Sequence, residues 1–288
     1  MSLKEEYKSS LKSFDVEEIL DLLIYRPLSF LLVKLIYPTN LTPNQISVIA
    51  MFLGILSGIF YAFGTYEFFV FAAASFFMCN VLDCADGQLA RLKKNGTRIG
   101  RIIDGLIDYV TAMATFVGIG IALANNPEFG TKYWILIAVA GISRAFQNMY
   151  FDYFRNLYLR YVYNKVDDVK REIEGYEKFR KEIGKTKGRY AIKALVDLYV
   201  GYSKWQMKIT RHVELDVTPE EYKNKNRLIL RLWSWLGSTT HLSLLVVFSL
   251  VYRIDLYFWV TLIPGNLILI TLFIWQKTII KYLINKSK

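Results

Sequence analysis

Phe68-Phe69-Val70-Phe71-Ala72-Ala73-Ala74-Ser75-Phe76-Phe77-Met78-Cys79-Asn80-Val81-Leu82 runs fifteen residues without a charge and then meets Asp83-Cys84-Ala85-Asp86. An apolar run of this kind, extended to Leu89, is long enough to cross a bilayer, which takes about 20 residues of helix. Five further stretches have the same character: Pro43–Gly64, Arg101–Ala124, Tyr133–Phe151, Leu236–Tyr252 and Leu256–Trp275. The expected fold is therefore all-α: a polytopic membrane protein with six transmembrane helices.

Composition agrees. Of the 288 residues 53% are hydrophobic and only 21% charged, and the mean hydropathy of +0.25 lies above the usual range of a soluble domain. These values exclude a disordered chain, a collagen-like fibre and an ordinary nucleic-acid-binding domain. The net charge of +11 has another reading in a membrane protein, because Lys and Arg gather in cytoplasmic loops against anionic headgroups. Here Lys4, Lys8, Lys12, Arg26 and Lys34 precede the first stretch, and Arg91, Lys93, Lys94, Arg98 and Arg101 separate the second from the third. The segment after the fourth holds 19 Lys and Arg against 12 Asp and Glu, and Lys277, Lys281, Lys286 and Lys288 follow the sixth. The alternate connections contribute only Lys132 and Arg253. All the basic loops thus fall on one side, which puts both termini in the cytoplasm, in a plasma or inner membrane. The opening Met1-Ser-Leu-Lys-Glu-Glu-Tyr is charged and does not read as a signal peptide.

Four regions follow. Residues 1–40 read as N-terminal interfacial helices: Asp15-Val-Glu-Glu18 as a capping box before Ile19, Leu20, Leu23 and Ile24, a break at Arg26-Pro27, then an interfacial continuation over Phe30–Ile36. Residues 41–151 carry the first four spans. Thr42-Pro43-Asn44-Gln45 marks a helix start there, and Gly54-x-x-x-Gly58 a close-packing face. Residues 152–235 form a basic helical cytoplasmic insert, with amphipathic helices over Val166–Ile183 and Tyr190–Ile209 and a third capped at Thr218-Pro219-Glu220-Glu221. Residues 236–288 hold the last two spans and a basic tail. Tyr133, Trp134, Trp233 and Trp235 read as interfacial anchors.

The chemistry lies where apolar runs meet acids. Asp83 and Asp86 are three residues apart at the end of the second span, and Asp104 and Asp108 four apart at the start of the third. Each spacing puts its pair on one helix face, one turn of about 5.4 Å apart. The short connection Leu92–Ile99 forces an antiparallel hairpin, so the four carboxylates can face one another. An Asp at mid-membrane costs about 2.5–3.5 kcal/mol, less toward the interface, and like charges add repulsion. Divalent cations relieve both, since carboxylates are the ligands hard cations prefer, and two of them would form a phosphoryl-transfer clamp. Gly87 and Ala90 beside Asp83 and Asp86, and Gly100 in line with Asp104 and Asp108, keep the groove open for a ligand. Pairing of the acids with Arg91, Arg98 or Arg101, or a metal- or proton-coupled transporter, stand as alternatives.

Asp83-x-x-Asp86-Gly87-x-x-Ala90-Arg91, eight residues, then Gly100-x-x-x-Asp104-x-x-x-Asp108 resembles the defining motif of the CDP-alcohol phosphotransferase family at all eight constrained positions over 26 residues. The resemblance spans roughly residues 27–275, and the 152–235 insert departs from the smaller members. It implies an integral membrane enzyme that cleaves a CDP-linked donor, moves a phospho-substituent to an alcohol and releases CMP, in phospholipid synthesis. It implies further that Asp83, Asp86 and Asp104 hold two divalent ions, Mg²⁺ or Mn²⁺, and that Asp108 is a shared ligand or the base for the acceptor hydroxyl. Gly87, Ala90 and Gly100 would let the nucleotide approach, Arg91 and Asn44 would lie near it, and the protein would be a homodimer among membrane lipids. The smaller six-span architecture favours a CDP-linked lipid donor and a polar alcohol acceptor of inositol or inositol phosphate type. Transfer of a choline- or ethanolamine-type headgroup to a lipid alcohol is the alternative.

Outside the motif, Arg144 within the fourth span reads either as a phosphate-binding residue for donor or acceptor or as an ion-paired or snorkelling cation. His241 reads as a hydrogen-bonded packing residue, with a substrate role as the alternative, and His212 as a solvated loop residue. Cys79 and Cys84 have no zinc spacing or disulfide framework and read as small buried hydrophobes.

Overall fold

The computed structural model describes residues 3–11, 14–96, 98–164, 175–178, 193–194, 196–197, 200–201 and 215–286. Helices predominate among them, with no strand. In chain order the main helices are α1 (Leu3–Ser10), α2 (Arg26–Ile36), α3 (Pro43–Ala62), α4 (Tyr66–Lys93), α5 (Arg98–Asn125), α6 (Tyr133–Tyr163), α7 (Pro219–Trp233), α8 (Ser238–Leu250), α9 (Ile254–Leu262) and α10 (Pro264–Lys286). Most of the expected helices at Val166–Ile183 and Tyr190–Ile209, and His212, lie outside the described residues.

Four helical stretches are long and apolar enough to cross a membrane: Pro43–Ala62, Tyr66–Lys93, Asp104–Asn125 and Ile254–Lys286. The other two expected spans, Tyr133–Phe151 and Leu236–Tyr252, are not among these four. α8 has 13 residues, short of a full crossing. α6 is long, but Ser143, Arg144, Gln147 and Asn148 interrupt its apolar character. The outward faces carry Phe52, Ile59, Phe71, Met113, Ile135, Ile142, Leu267 and Ile274, all more than half exposed. Apolar side chains turned outward from a bundle that is also apolar inside are the mark of a lipid-facing surface.

The chain divides into two compact units. The first comprises residues 1–152 and 228–275. At its centre α3 packs against both α4 and α5. The Gly54-x-x-x-Gly58 face makes this approach possible: a methyl group on Gly54 would overlap Thr111, and one on Gly58 the backbone of Ala114. From the other side, a methyl on Gly118 would overlap the carbonyl of Gly58. Small residues let helix backbones touch where lipid supplies no hydrophobic drive. Gly118→Ala is therefore expected to destabilise the protein by about 1–3 kcal/mol, the cost of overpacking. Gly141→Ala, at a site with no atom within 4 Å of the added methyl, should leave the melting temperature in detergent unchanged. Equal melting temperatures for the two variants would contradict the contact. Deeper in the unit Tyr61, Phe69, Phe76, Ile119, Leu245 and Phe258 form the main apolar core.

The N-terminal segment corrects the expected break. Residues 19–36 run as one helix, and Asp21–Tyr25 widen into a π turn immediately before Pro27. The Arg26 amide donates to the Asp21 carbonyl five residues back. Such a bulge accommodates a ring that cannot continue the ordinary ladder. Glu17 and Glu18, expected to cap this helix, serve other partners. Glu17 pairs with Arg26 at 3.1 Å. Glu18 accepts from the Thr239 amide at 3.0 Å and the Ser238 hydroxyl at 3.2 Å, which makes it the N-terminal cap of α8 from across the fold. Thr42 and Gln45 form the expected capping box at the start of α3. Trp134 is partly exposed, but Trp233, expected at the interface, is fully buried.

The second unit comprises residues 153–227 and 276–288. Tyr222 stacks on Tyr161 with ring centroids 4.7 Å apart. Asn226 accepts from Gln276 at 2.6 Å, and Glu221 pairs with Lys286 at 2.6 Å.

Candidate active site

Two helix ends make the site. α4 closes at Lys93, with Lys94 in the left-handed region at φ 53° and the Asn95 amide returning to the Ala90 carbonyl. That cap turns the chain sharply into α5, which starts at Arg98. The acids of the two helices meet as a result. One carboxylate oxygen from each of Asp83, Asp86 and Asp104 lies within 4.8 Å of the other two. Asp86 is buried, while Asp83 and Asp104 are half-buried.

Asp108 is the fourth acid and stands apart in character. Its side chain is exposed, one turn along α5 from Asp104, and it acts electrostatically on Asp83. Three acids thus form a compact cluster, with the fourth beside it and open to a reactant.

Asp83 and Asp86 form no ion pair among the described residues. Arg91, the nearest motif cation in sequence, turns away: its Nε donates to the Ser10 carbonyl at the end of α1. Its guanidinium folds back over Gly87, to 3.5 Å from where a methyl on that glycine would stand. The side chains of Arg98 and Arg101 lie outside the described residues. Three carboxylates brought this close together could hold a divalent cation, for which such oxygens are the preferred ligands.

The other expected site residues surround this cluster. Asn44 is exposed in the first turn of α3, and Ser47, one turn further on, donates its hydroxyl to Asp86. Asn44 therefore stands at the mouth above Asp86. Ala90 and Gly100 are half-buried at the two helix ends that frame it. Arg144 lies elsewhere, on α6, with its guanidinium 5.6 Å over the Phe116 ring of α5.

Some supporting residues were not singled out from sequence. Ser47 orients an acid, and its only signal was its place one turn from Asn44. Gln88 is fully buried, accepts from Ser29 at 2.8 Å and donates to the Arg26 carbonyl at 3.2 Å, tying α2 to the acid-bearing helix. Cys84 points its Sγ to Asp21 at 3.8 Å. These partners come from residues roughly 40–70 positions away, a distance over which no local pattern speaks.

With this geometry in hand, residues 40–167 match the CDP-alcohol phosphatidyltransferase family. The match covers residues 40–167 of the 288, less than half of the chain. The match contains all eight motif positions and helices α3 to α6. A bifunctional IPC transferase and DIPP synthase of Thermococcus kodakarensis is similar over 133 residues at 26% identity, covering 46% of this chain and 29% of the relative. The chain thus spans less than a third of the length of the curated relative it matches. The matched segment contains the acid cluster and its frame, and leaves α8 and α9 outside its bounds.

Proposed function

We propose that this protein transfers a phosphatidyl-type group from a CDP-linked lipid to a polar alcohol, of inositol or inositol phosphate type, and releases CMP. The convergence of Asp83, Asp86 and Asp104 at the cytoplasmic end of two apolar helices carries this reading. There a lipid-anchored donor and a water-borne alcohol can meet. The sidedness rests on the basic loops, all of which fall on one face.

In this reading Asp83, Asp86 and Asp104 would hold two divalent ions, with Ser47 fixing the carboxylate of Asp86. When bound, such ions supply charge neutralisation on the pyrophosphate and on the departing CMP oxygen. Asp108, exposed beside the cluster, accepts the proton of the acceptor hydroxyl. The freed oxygen bonds to the lipid-side phosphorus, and the bond from that phosphorus to the CMP oxygen breaks with its electron pair. Gly87 and Ala90 leave room for the cytidine, and Asn44 flanks the mouth.

The test is CMP release. Purified protein with Mg²⁺ or Mn²⁺, labelled CDP-diacylglycerol and inositol or inositol phosphate should yield CMP and a lipid-linked product. CDP-choline with diacylglycerol should not. CMP from the second pair alone would reverse the donor assignment, and none from either pair would remove the reading.

A further inference from the structure

α1 contributes nothing to the acid cluster, yet it reaches the motif. Its eight residues, Leu3–Ser10, pack against α4. A helix this short has little stability of its own in water, so its order depends on what holds it. Three contacts do so. Glu6 accepts from Lys34 of α2 through both carboxylate oxygens at 2.9 Å. The Tyr7 ring meets Phe30 of α2 edge-on, with centroids 5.2 Å apart. The Ser10 carbonyl, in the last turn, accepts from Nε of Arg91. Ser10 is fully buried, while Lys4, Glu5, Lys8 and Ser9 are exposed.

The outer contact is the weak one. The side chain of Lys34 keeps 38% of its exposure and that of Glu6 21%. Water and salt screen an ion pair in such a place, so it opens easily.

The inner contact decides where Arg91 points. Beyond Nε, its guanidinium lies over Gly87, with both terminal nitrogens 3.5 Å from where a methyl on that glycine would stand. Gly87 is half-buried and directly follows Asp86. The guanidinium therefore fills the notch that the missing side chain leaves, the same notch through which a cytidine would approach the acids. It is a poor resting place for a cation. Arg91 Nη2 is buried and has no hydrogen-bond partner. Arg26 acts on the group as a like charge, and Glu17 and Asp86 attract it without pairing. A phosphate oxygen within reach would give this donor the charge-assisted bond it lacks.

We propose that α1 is an autoinhibitory latch: the Ser10 carbonyl holds Arg91 in the notch over Gly87, and the donor nucleotide enters when α1 lifts and Arg91 swings out to its phosphates. Docked α1 and bound donor exclude one another because they contend for one space and one guanidinium. Glu6, Tyr7 and Lys34 lie outside the transfer machinery, so the latch governs access to the site and leaves the chemical step alone. This inference rests on the transfer reading above for the identity of the ligand.

The test uses the full chain in an uncharged detergent with Mn²⁺. Glu6→Lys and Lys34→Glu each break the outer ion pair, and the double exchange restores it with the signs reversed. Each single variant should bind CMP and CDP-diacylglycerol about two- to fivefold more tightly, the worth of a partly exposed ion pair. Donor KM should fall by the same factor, with kcat unchanged. Tyr7→Ala, which loosens the ring contact instead, should act in the same direction, and the double exchange should return both values to the parent's. Hydrogen exchange gives a readout independent of turnover: the amides of residues 5–11 should exchange faster in the parent once CDP-diacylglycerol is bound. Single variants that bind the donor more weakly would make α1 a positioning element for Arg91 and overturn the latch. Slower exchange of residues 5–11 in the bound state would overturn it too. Donor binding that ignores all the substitutions would sink the latch and spare the transfer reading. If neither CMP nor the CDP-lipid binds the parent or any variant, the transfer reading falls and the latch falls with it.

Discussion

Asp108→Asn is expected to reduce CMP release about 10²–10⁴-fold, the range ascribed to one positioned general base. Asn has nearly the shape of Asp but accepts no proton at its amide nitrogen. Because Asp108 is exposed and lies outside the three-acid cluster, the variant should still respond to metal. Its melting temperature should rise with Mn²⁺ as the parent's does. Measuring turnover and thermal shift on one preparation separates the two roles. A variant that loses both would move Asp108 from proton acceptor to metal ligand.

The second large effect concerns Asp83, Asp86 and Asp104. Chelation, or replacement of any one of them by Asn, should lower turnover about a thousandfold or more, since metal ions supply several kcal/mol of transition-state stabilisation. The same substitutions should have an opposite and diagnostic effect on stability. In chelator, Asp86→Asn removes one of three acids packed within 4.8 Å, so it should melt higher than the parent. With Mn²⁺ present the order should invert, because the parent gains binding free energy that the variant cannot. Curves that do not cross would mean that the acids are satisfied by something other than a cation.

The readable and unreadable parts of this chain divide along a physical line. Spacings of three and four residues within a helix fix which side chains share a face. That is why Asp83 with Asp86, and the helix start at Thr42–Gln45, were legible. Segment hydropathy placed the four apolar helices; α6 and α8 differ from them because Arg144 interrupts the one and the other has only 13 residues. The Arg26-Pro27 break failed because a π turn absorbs the proline, a local geometry with no composition signature. The long-range partners were out of reach for a different reason. Glu18 on Thr239, Ser47 on Asp86 and Arg91 on Ser10 each depend on how separate helices dock, and periodicity carries no information about docking.

Arg91 and Glu18 bear on how this chain can be cut down. The family match opens at residue 40, yet the carbonyl that receives Arg91 belongs to Ser10 and the carboxylate that caps α8 belongs to Glu18. A truncation at the apparent domain edge would strip a lid from the motif arginine and uncap the helix bearing His241 in one stroke. The smallest autonomous unit of this protein therefore reaches upstream of the matched segment, and Ser10 and Glu18 act as a clasp on the helical bundle.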